Sequence, residues 1–168
     1  MLKNKIKLYF SILLLCFFYT SINAHGPSRQ KVSESIIINA PASDVWKIVS
    51  NFKEFTWNEN IKDVSSDGDQ VGSERVIKFK SGEIIKQKLE KIDDKKMMIN
   101  WRIIETDNKV LPVNSYAAKI FIKPEGQKTS VLYKTGFYRG FMGNDPPPEL
   151  NDENSKKLVN NFVSENLK

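Results

Sequence analysis

Apolar and polar residues alternate along most of this chain, in short runs separated by turn residues. Val32–Ile38 is the first run. It stops at Asn39-Ala40-Pro41, because proline cannot donate to a strand ladder and pushes the residue before it toward an extended shape. The period then changes from two to about four. Val45, Trp46, Ile48 and Val49 share one face of a helix predicted over Ser43–Ser50, with Phe52 one turn beyond Ile48. Ser43 suits the N-cap and Asp44 the positive end of the helix dipole. Trp46 reads as core. Phe55, Trp57 and Ile61 fit a second short helix or turn packed beneath a sheet.

From Arg75 onward the period is two. Arg75–Lys80, a Ser81-Gly82 turn and Glu83–Ile92 predict a hairpin. Met97–Glu105, Tyr116–Lys123 and Val131–Tyr138 are the next strands. Asp67-Gly68-Asp69, Gly72, Asp93-Asp94 and Pro124-Glu125-Gly126 mark turns. Glu149–Leu167 closes the chain as a helix, capped by Asn151 or Asp152, with Leu158, Val159, Phe162, Val163 and Leu167 on one face. The order β-α-α-β(n)-α predicts an α+β fold of the helix-grip type, a curved antiparallel sheet around the C-terminal helix with an apolar hollow between them.

Alternation also assigns the faces. Ile77, Phe79, Ile85, Leu89, Ile99, Trp101, Tyr116, Ala118, Ile120, Ile122, Val131, Tyr133 and Phe137 fall inside. Lys78, Lys80, Lys86, Lys88, Lys119, Lys123 and Lys134 fall outside, as a solvated surface or a docking face. Trp57, Arg75, Phe79, Ile99, Trp101, Tyr116 and Tyr133 are the candidate ligand-pocket residues. An aromatic pocket with one or two polar groups and a well-packed core give the same sequence pattern. Arg75 shares a face with Ile77 and Phe79, where it either orients an anionic ligand or snorkels to water.

The first residues change how the composition is read. Lys3, Lys5 and Lys7 precede an apolar run from Leu8 to Tyr19, and Ala24 is a small residue at the expected cut. That is the layout of a cleavable signal peptide over 1–24, with an uncleaved anchor as its rival. The run is shorter than the roughly 20 residues a membrane span needs, so no stable membrane insertion is expected after cleavage. The whole chain carries 26 basic and 20 acidic side chains. Losing three lysines leaves 23 against 20, which removes the main support for nucleic-acid binding. Cys16, the sole cysteine, leaves with the leader, so residues 25–168 form one thiol-free domain suited to an oxidising space.

Chemistry is sparse. His25 is the only histidine, at the expected new N-terminus, so a Ser-His-acid triad would depend on a chain end. An amino-terminal histidine can chelate copper, but stable sites add further ligands and none is evident. No phosphate-binding loop, dinucleotide fingerprint or paired metal-ligand spacing is present. The reading is therefore no enzyme, no metal and no cofactor. The run Phe137-Tyr138-Arg139-Gly140-Phe141-Met142, followed by Gly143-Asn144-Asp145 and Pro146-Pro147-Pro148, is either a stiffened connector or a partner-binding surface rich in interface-type residues.

Asn39-Ala40-Pro41, Asp44-Val45-Trp46, Phe52 and Trp57-Asn58 resemble the opening of the START-related, polyketide-cyclase-like superfamily called SRPBCC. Three further segments are similar to the MxaD-like periplasmic accessory proteins of methanol-oxidising bacteria. They are His25-Gly26-Pro27 leading into Gln30-Lys31-Val32, Leu111–Lys119, and Phe137–Gly140 continuing through Gly143–Pro147 to Glu149–Asp152. The resemblance implies a helix-grip (START/Bet v 1-like) protein of the periplasm, without agreed catalytic residues. It further implies that the protein promotes the interaction of methanol dehydrogenase with its cytochrome c acceptor. The candidate partner-binding residues are Leu111, Pro112, Tyr138, Arg139, Phe141, Met142 and Pro147. The alternatives are a periplasmic carrier of a small apolar ligand, and a cyclase- or hydrolase-like enzyme in which Arg75 or Tyr116 polarises a carbonyl.

Overall fold

The computed structural model describes residues 26–55 and 57–168. The expected signal peptide and His25 lie outside the described residues. Seven strands form one antiparallel sheet: β1 (Gln30–Ile38), β2 (Ile61–Ser66), β3 (Glu74–Phe79), β4 (Ile84–Asp93), β5 (Met98–Thr106), β6 (Val113–Glu125) and β7 (Lys128–Arg139). Their spatial order is β1-β7-β6-β5-β4-β3-β2, so the first strand in sequence pairs with the last. Helix α1 (Ala42–Val49) follows β1, and helix α2 (Asp152–Glu165) closes the chain against the inner face.

The predicted inner and outer faces hold. Every residue assigned to the inside is buried, and the seven lysines assigned outside are exposed or half-exposed. Register shifts at Lys86/Gln87, Leu89/Lys91 and Asn114/Ala117 are bulges, which bend and twist a sheet enough to curl it around a helix. At the last of these, Ser115 has a positive φ of 51°. The closing helix buries Ser155, Val159, Phe162 and Val163. Phe162 meets the ring of Phe79 at 6.3 Å between centroids.

Three details differ from the sequence expectation. The predicted second helix is absent from the described residues between α1 and β2, which form successive turns. Asn51 and Asn58 explain this: their side-chain oxygens accept from the backbone N–H of Lys53 and Asn60, offering the chain an alternative to helical bonds. Second, Ile61–Ser66 is an edge strand that the sequence conceals. Polar Lys62, Asp63, Ser65 and Ser66 break the alternation, as an edge strand with little to bury permits. Third, Pro41 rather than Ser43 precedes helix α1, with its carbonyl accepting from Asp44 and Val45. Proline serves there because an N-cap's own N–H is not needed for the helix. At the other end, Asn151 caps α2, its side chain accepting from Asn154 N at 2.8 Å after a 3₁₀ turn at Pro148–Leu150.

Ser155 ties this last helix to the sheet. It is fully buried, donates to the carbonyl of Pro112 at 2.7 Å and accepts from Gly140 N at 3.4 Å. Replacing it with alanine leaves a buried carbonyl without its donor. Ser155→Ala is expected to lower unfolding free energy by about 1–2 kcal/mol in urea titration; an unchanged midpoint would show the tie to be idle.

Candidate functional site: a filled interior, an apolar groove and a clamped loop

Arg75 stands at the start of β3 and points inward, as the alternation requires. It is 2% exposed and does not snorkel to water. Its Nε and Nη2 both donate to Gln87 Oε1, at 2.9 and 2.7 Å, and Nη1 donates to the carbonyls of Phe52 and Glu54 at 3.1 Å. The planar guanidinium sits over aromatic rings, 4.2 Å from the centroid of Phe52, 4.5 Å from Phe55 and 5.4 Å from Trp101. Such a weakly hydrated, delocalised cation tolerates burial against π faces where an ammonium would not. Burial still disfavours the charge and pulls the Arg75 pKa down to about 9.

The rest of the predicted pocket packs behind this cation. Trp101 meets Tyr133 edge-on at 5.7 Å, and Tyr116 stacks with Phe137 at 6.2 Å. The hydroxyls of Tyr116 and Tyr133 lie 3.1 Å apart in a hydrogen bond. Burial pushes the Tyr116 phenol up to about 12, and burial with the neighbouring Tyr116 pushes Tyr133 well above its ordinary range. Arg75, Ile99, Trp101, Tyr116 and Tyr133 thus form an interlocked interior. The structure brings these five together and sends the other two, Trp57 and Phe79, to opposite flanks of α2.

Two open clefts lie there. Phe79 lines a cleft of about 530 Å³ between α2 and the β3–β4 turn, whose walls carry Lys80, Glu83, Lys109 and Glu165 beside Val110 and Phe162. Trp57 lines a groove of about 330 Å³ at the C-terminal end of α2, walled by Ile36, Ile38, Val45, Ile48, Val49 and Leu167. Asp44 and Lys168 stand in its lining as the only charged side chains. Asn166 contributes the remaining polar group. Its Oδ1 accepts from Asn58 Nδ2 at 2.6 Å, and its buried amide faces the Tyr133 hydroxyl, where it favours the phenolate. A wall this apolar matches a small apolar molecule. Sequence reasoning missed this groove because its residues come from β1, α1, the connector, β6, β7 and the chain's last turn, and no periodicity links them.

The β7–α2 loop is the third feature. Arg139 is 5% exposed and works as its clamp. Nε donates to the carbonyl of Phe141 at 2.8 Å, Nη2 to that of Gly143 at 2.6 Å, and Nη1 to Asp152 Oδ2 at 2.8 Å. Asn114 Nδ2 adds bonds to the carbonyls of Arg139 and Gly140. A Cβ on Gly143 would fall 2.5 Å from the Phe141 ring, so glycine there lets the ring fold back over the loop. Phe141 and Met142 are left 37% and 51% exposed. Of the predicted partner-binding set, Leu111, Pro112 and Arg139 are buried and hold the loop from beneath, so they have no surface to offer a partner. Tyr138 and Pro147 are half-buried, and Phe141 and Met142 face out.

Among the described residues, no group of three or more His, Cys, Asp or Glu side chains is placed to hold a metal ion. The described helices include none long and apolar enough to cross a membrane.

The chain belongs to the polyketide cyclase / dehydrase and lipid transport family, whose model matches residues 29–168. No curated protein matches it. Among solved structures it is similar to an uncharacterized protein from Bacillus thuringiensis, with 24% identity, 82% of this chain and 93% of that chain covered, and a TM-score of 0.67. It is also similar to the protein XoxI from Bacillus cereus, at 23% identity, 82% and 89% coverage and a TM-score of 0.66. Zhui aromatase/cyclase from Streptomyces sp. R1128 matches at 15% identity, 83% and 87% coverage and a TM-score of 0.66. These likenesses show the fold, a helix-grip sheet of the cyclase type.

The interior gives two testable results. Arg75→Lys cannot reproduce the planar fork to Gln87 and two carbonyls, and is expected to cost about 3 kcal/mol in urea titration; a loss below about 0.5 kcal/mol would mean that the fork is not needed. The second result concerns alkaline pH. Both buried phenols hold their protons to higher pH folded than unfolded, so their contribution is complete below pH 10 and falls as pH rises above it, that of Tyr116 being lost by about 12. Arg75 acts in the opposite sense, since burial lowers the folded guanidinium to about 9 while the unfolded one keeps its proton to higher pH. With two groups against one, stability should fall across pH 10–12, and Tyr116→Phe should make that fall shallower. A stability profile that is flat from pH 10 to 12 would contradict the burial of the pair.

Proposed function

We propose that this chain acts by binding rather than by turnover, as an exported, periplasmic accessory protein of methanol oxidation. In this reading it promotes the interaction of methanol dehydrogenase with its cytochrome c electron acceptor. The observation that carries the reading is the clamped β7–α2 loop. Arg139, itself buried, fixes two carbonyls of the loop and Asp152 at the start of α2, and leaves Phe141 and Met142 presented to solvent. A contact surface already held in one shape loses little entropy on docking, which favours fast, reversible association. The same loop lies within the segments that resemble the MxaD-like accessory proteins. A non-catalytic role is further supported by the interior, where the most conspicuous cation spends its donors on Gln87 and two backbone carbonyls.

A second reading, a carrier of a small apolar ligand, is favoured by one specific observation, the 330 Å³ groove walled almost entirely by apolar side chains. The two readings are compatible, since groove and loop stand on different elements.

Electron transfer between the purified dehydrogenase and cytochrome, measured with and without the protein, tests the first reading. Addition is expected to raise the rate, and Phe141→Ala with Met142→Ala to raise the concentration needed by about tenfold. Rates unchanged across all concentrations would end it. Native mass spectrometry of protein purified from its own host tests the second, which expects a stoichiometric extra mass and fails if the bare chain alone is found under gentle conditions.

A further inference from the structure

Ion pairing differs across the outer face of the sheet. Across β3, β4 and β5 three cations are paired, Lys86 with Glu105 at 2.6 Å, Lys88 with Glu74 at 3.3 Å and Arg102 with Glu90, while exposed Lys78 stands without an ion pair to any described residue. Across β1, β7 and β6 none of the outward lysines is paired among the described residues. Lys119 of β6 stands directly opposite Lys134 of β7, and neither forms an ion pair with any described residue. Like charges directly opposite on neighbouring strands destabilise a sheet. Two residues along β7, Arg29 lies across the strand over Gly136, where an added Cβ would come within 2.9 Å of Nη2 and 3.2 Å of Nε. Glycine at that register position gives the guanidinium its bed, and the ring of Tyr138 lies 5.6 Å from its carbon. Lys31 of β1 sits opposite Gly136, and exposed Lys123 continues the row of cations along β6. Between the lysines run Phe121 and Leu132, paired in register and half-buried, with the Lys134 ammonium 6.0 Å from the Phe121 ring.

We infer that this half of the outer face is a docking surface for an acidic protein. Lys119 and Lys134, held in register without an ion pair to any described residue, complement carboxylates from outside, and the field of the neighbouring cations would speed encounter. The Phe121–Leu132 strip supplies the apolar centre such an interface needs. A rigid pleated face with fixed spacings suits a partner with fixed acidic groups better than it suits a fluid bilayer. The surface is separate from the exposed Phe141–Met142 tip, so one molecule can touch two partners. The choice of partner for the test rests on the accessory reading above.

The experiment follows stimulation of electron transfer by wild-type protein, by K119E/K134E and by K134E, using the purified dehydrogenase and cytochrome at low and high salt. The wild type is expected to need at least about tenfold more protein for half-maximal stimulation when salt is raised. K119E/K134E is expected to show the same loss already at low salt and little further salt dependence. K134E alone places opposite charges in register, so it should fold with a thermal midpoint at or above that of the wild type while still weakening stimulation. Wild-type stimulation that K119E/K134E and K134E fully retain would overturn the docking surface and leave the accessory reading standing. A wild type without effect on the pair would overturn both. Sedimentation with phosphatidylglycerol vesicles, lost in K119E/K134E while electron transfer is unchanged, would overturn the protein partner by assigning the face to an anionic lipid surface.

Discussion

The guanidinium of Arg75 is the point on which the two layers of this protein are joined. One side chain from β3 bonds to β4 through Gln87, to the connector after α1 through two carbonyls, and to three aromatic rings through its π-facing surfaces. Carbonyls of an irregular segment brought against a sheet would otherwise be buried without donors, a cost of about 1–3 kcal/mol each. Arg75 supplies those donors, and the aromatic faces help to hold its charge. The connector can therefore lie flat beneath the sheet, with Phe52 and Phe55 fully buried.

This constraint shapes where function can sit. A sheet curled around a helix encloses a space, and here the middle of that space is occupied by Arg75, Gln87, Trp101 and the Tyr116–Tyr133 pair. The open volume beside α2 is polar on the side of the β3–β4 turn and apolar at the helix's C-terminal end. Function on this scaffold is accordingly argued from surfaces and grooves at its margin. A second buried arginine, Arg139, repeats the device at the other end of the sheet, satisfying loop carbonyls and stiffening the segment that presents Phe141 and Met142. In both places one inward-facing arginine turns irregular backbone into fixed structure.

Much of this was legible in the sequence, and the limits have physical causes. Inner and outer faces followed from period-two alternation, because each strand from β3 to β7 buries only one side. The edge strand β2 escaped notice because an edge has little to bury and shows no alternation. The spacing of Phe55, Trp57 and Ile61 fitted either a second short helix or a turn, and Asn51 and Asn58 decide for turns. Arg75 was placed inward correctly, but a sequence does not say whether an inward arginine meets a ligand or its own chain. The same ambiguity held for Arg139 and Leu111, whose residue types suit an interface and whose positions are interior. The apolar groove gave no signal, since it exists only where six separate segments converge.

The most direct measurement of the central claim is hydrogen exchange at the Arg75 side chain, followed by nuclear magnetic resonance at neutral pH. A guanidinium bonded through Nε to Gln87 and buried among aromatic rings should give a resolved Nε–H signal that exchanges orders of magnitude more slowly than an exposed arginine. A signal that exchanges at the rate of a free side chain would place Arg75 in a water-filled hollow open to ligands, and the account of a filled interior would be wrong.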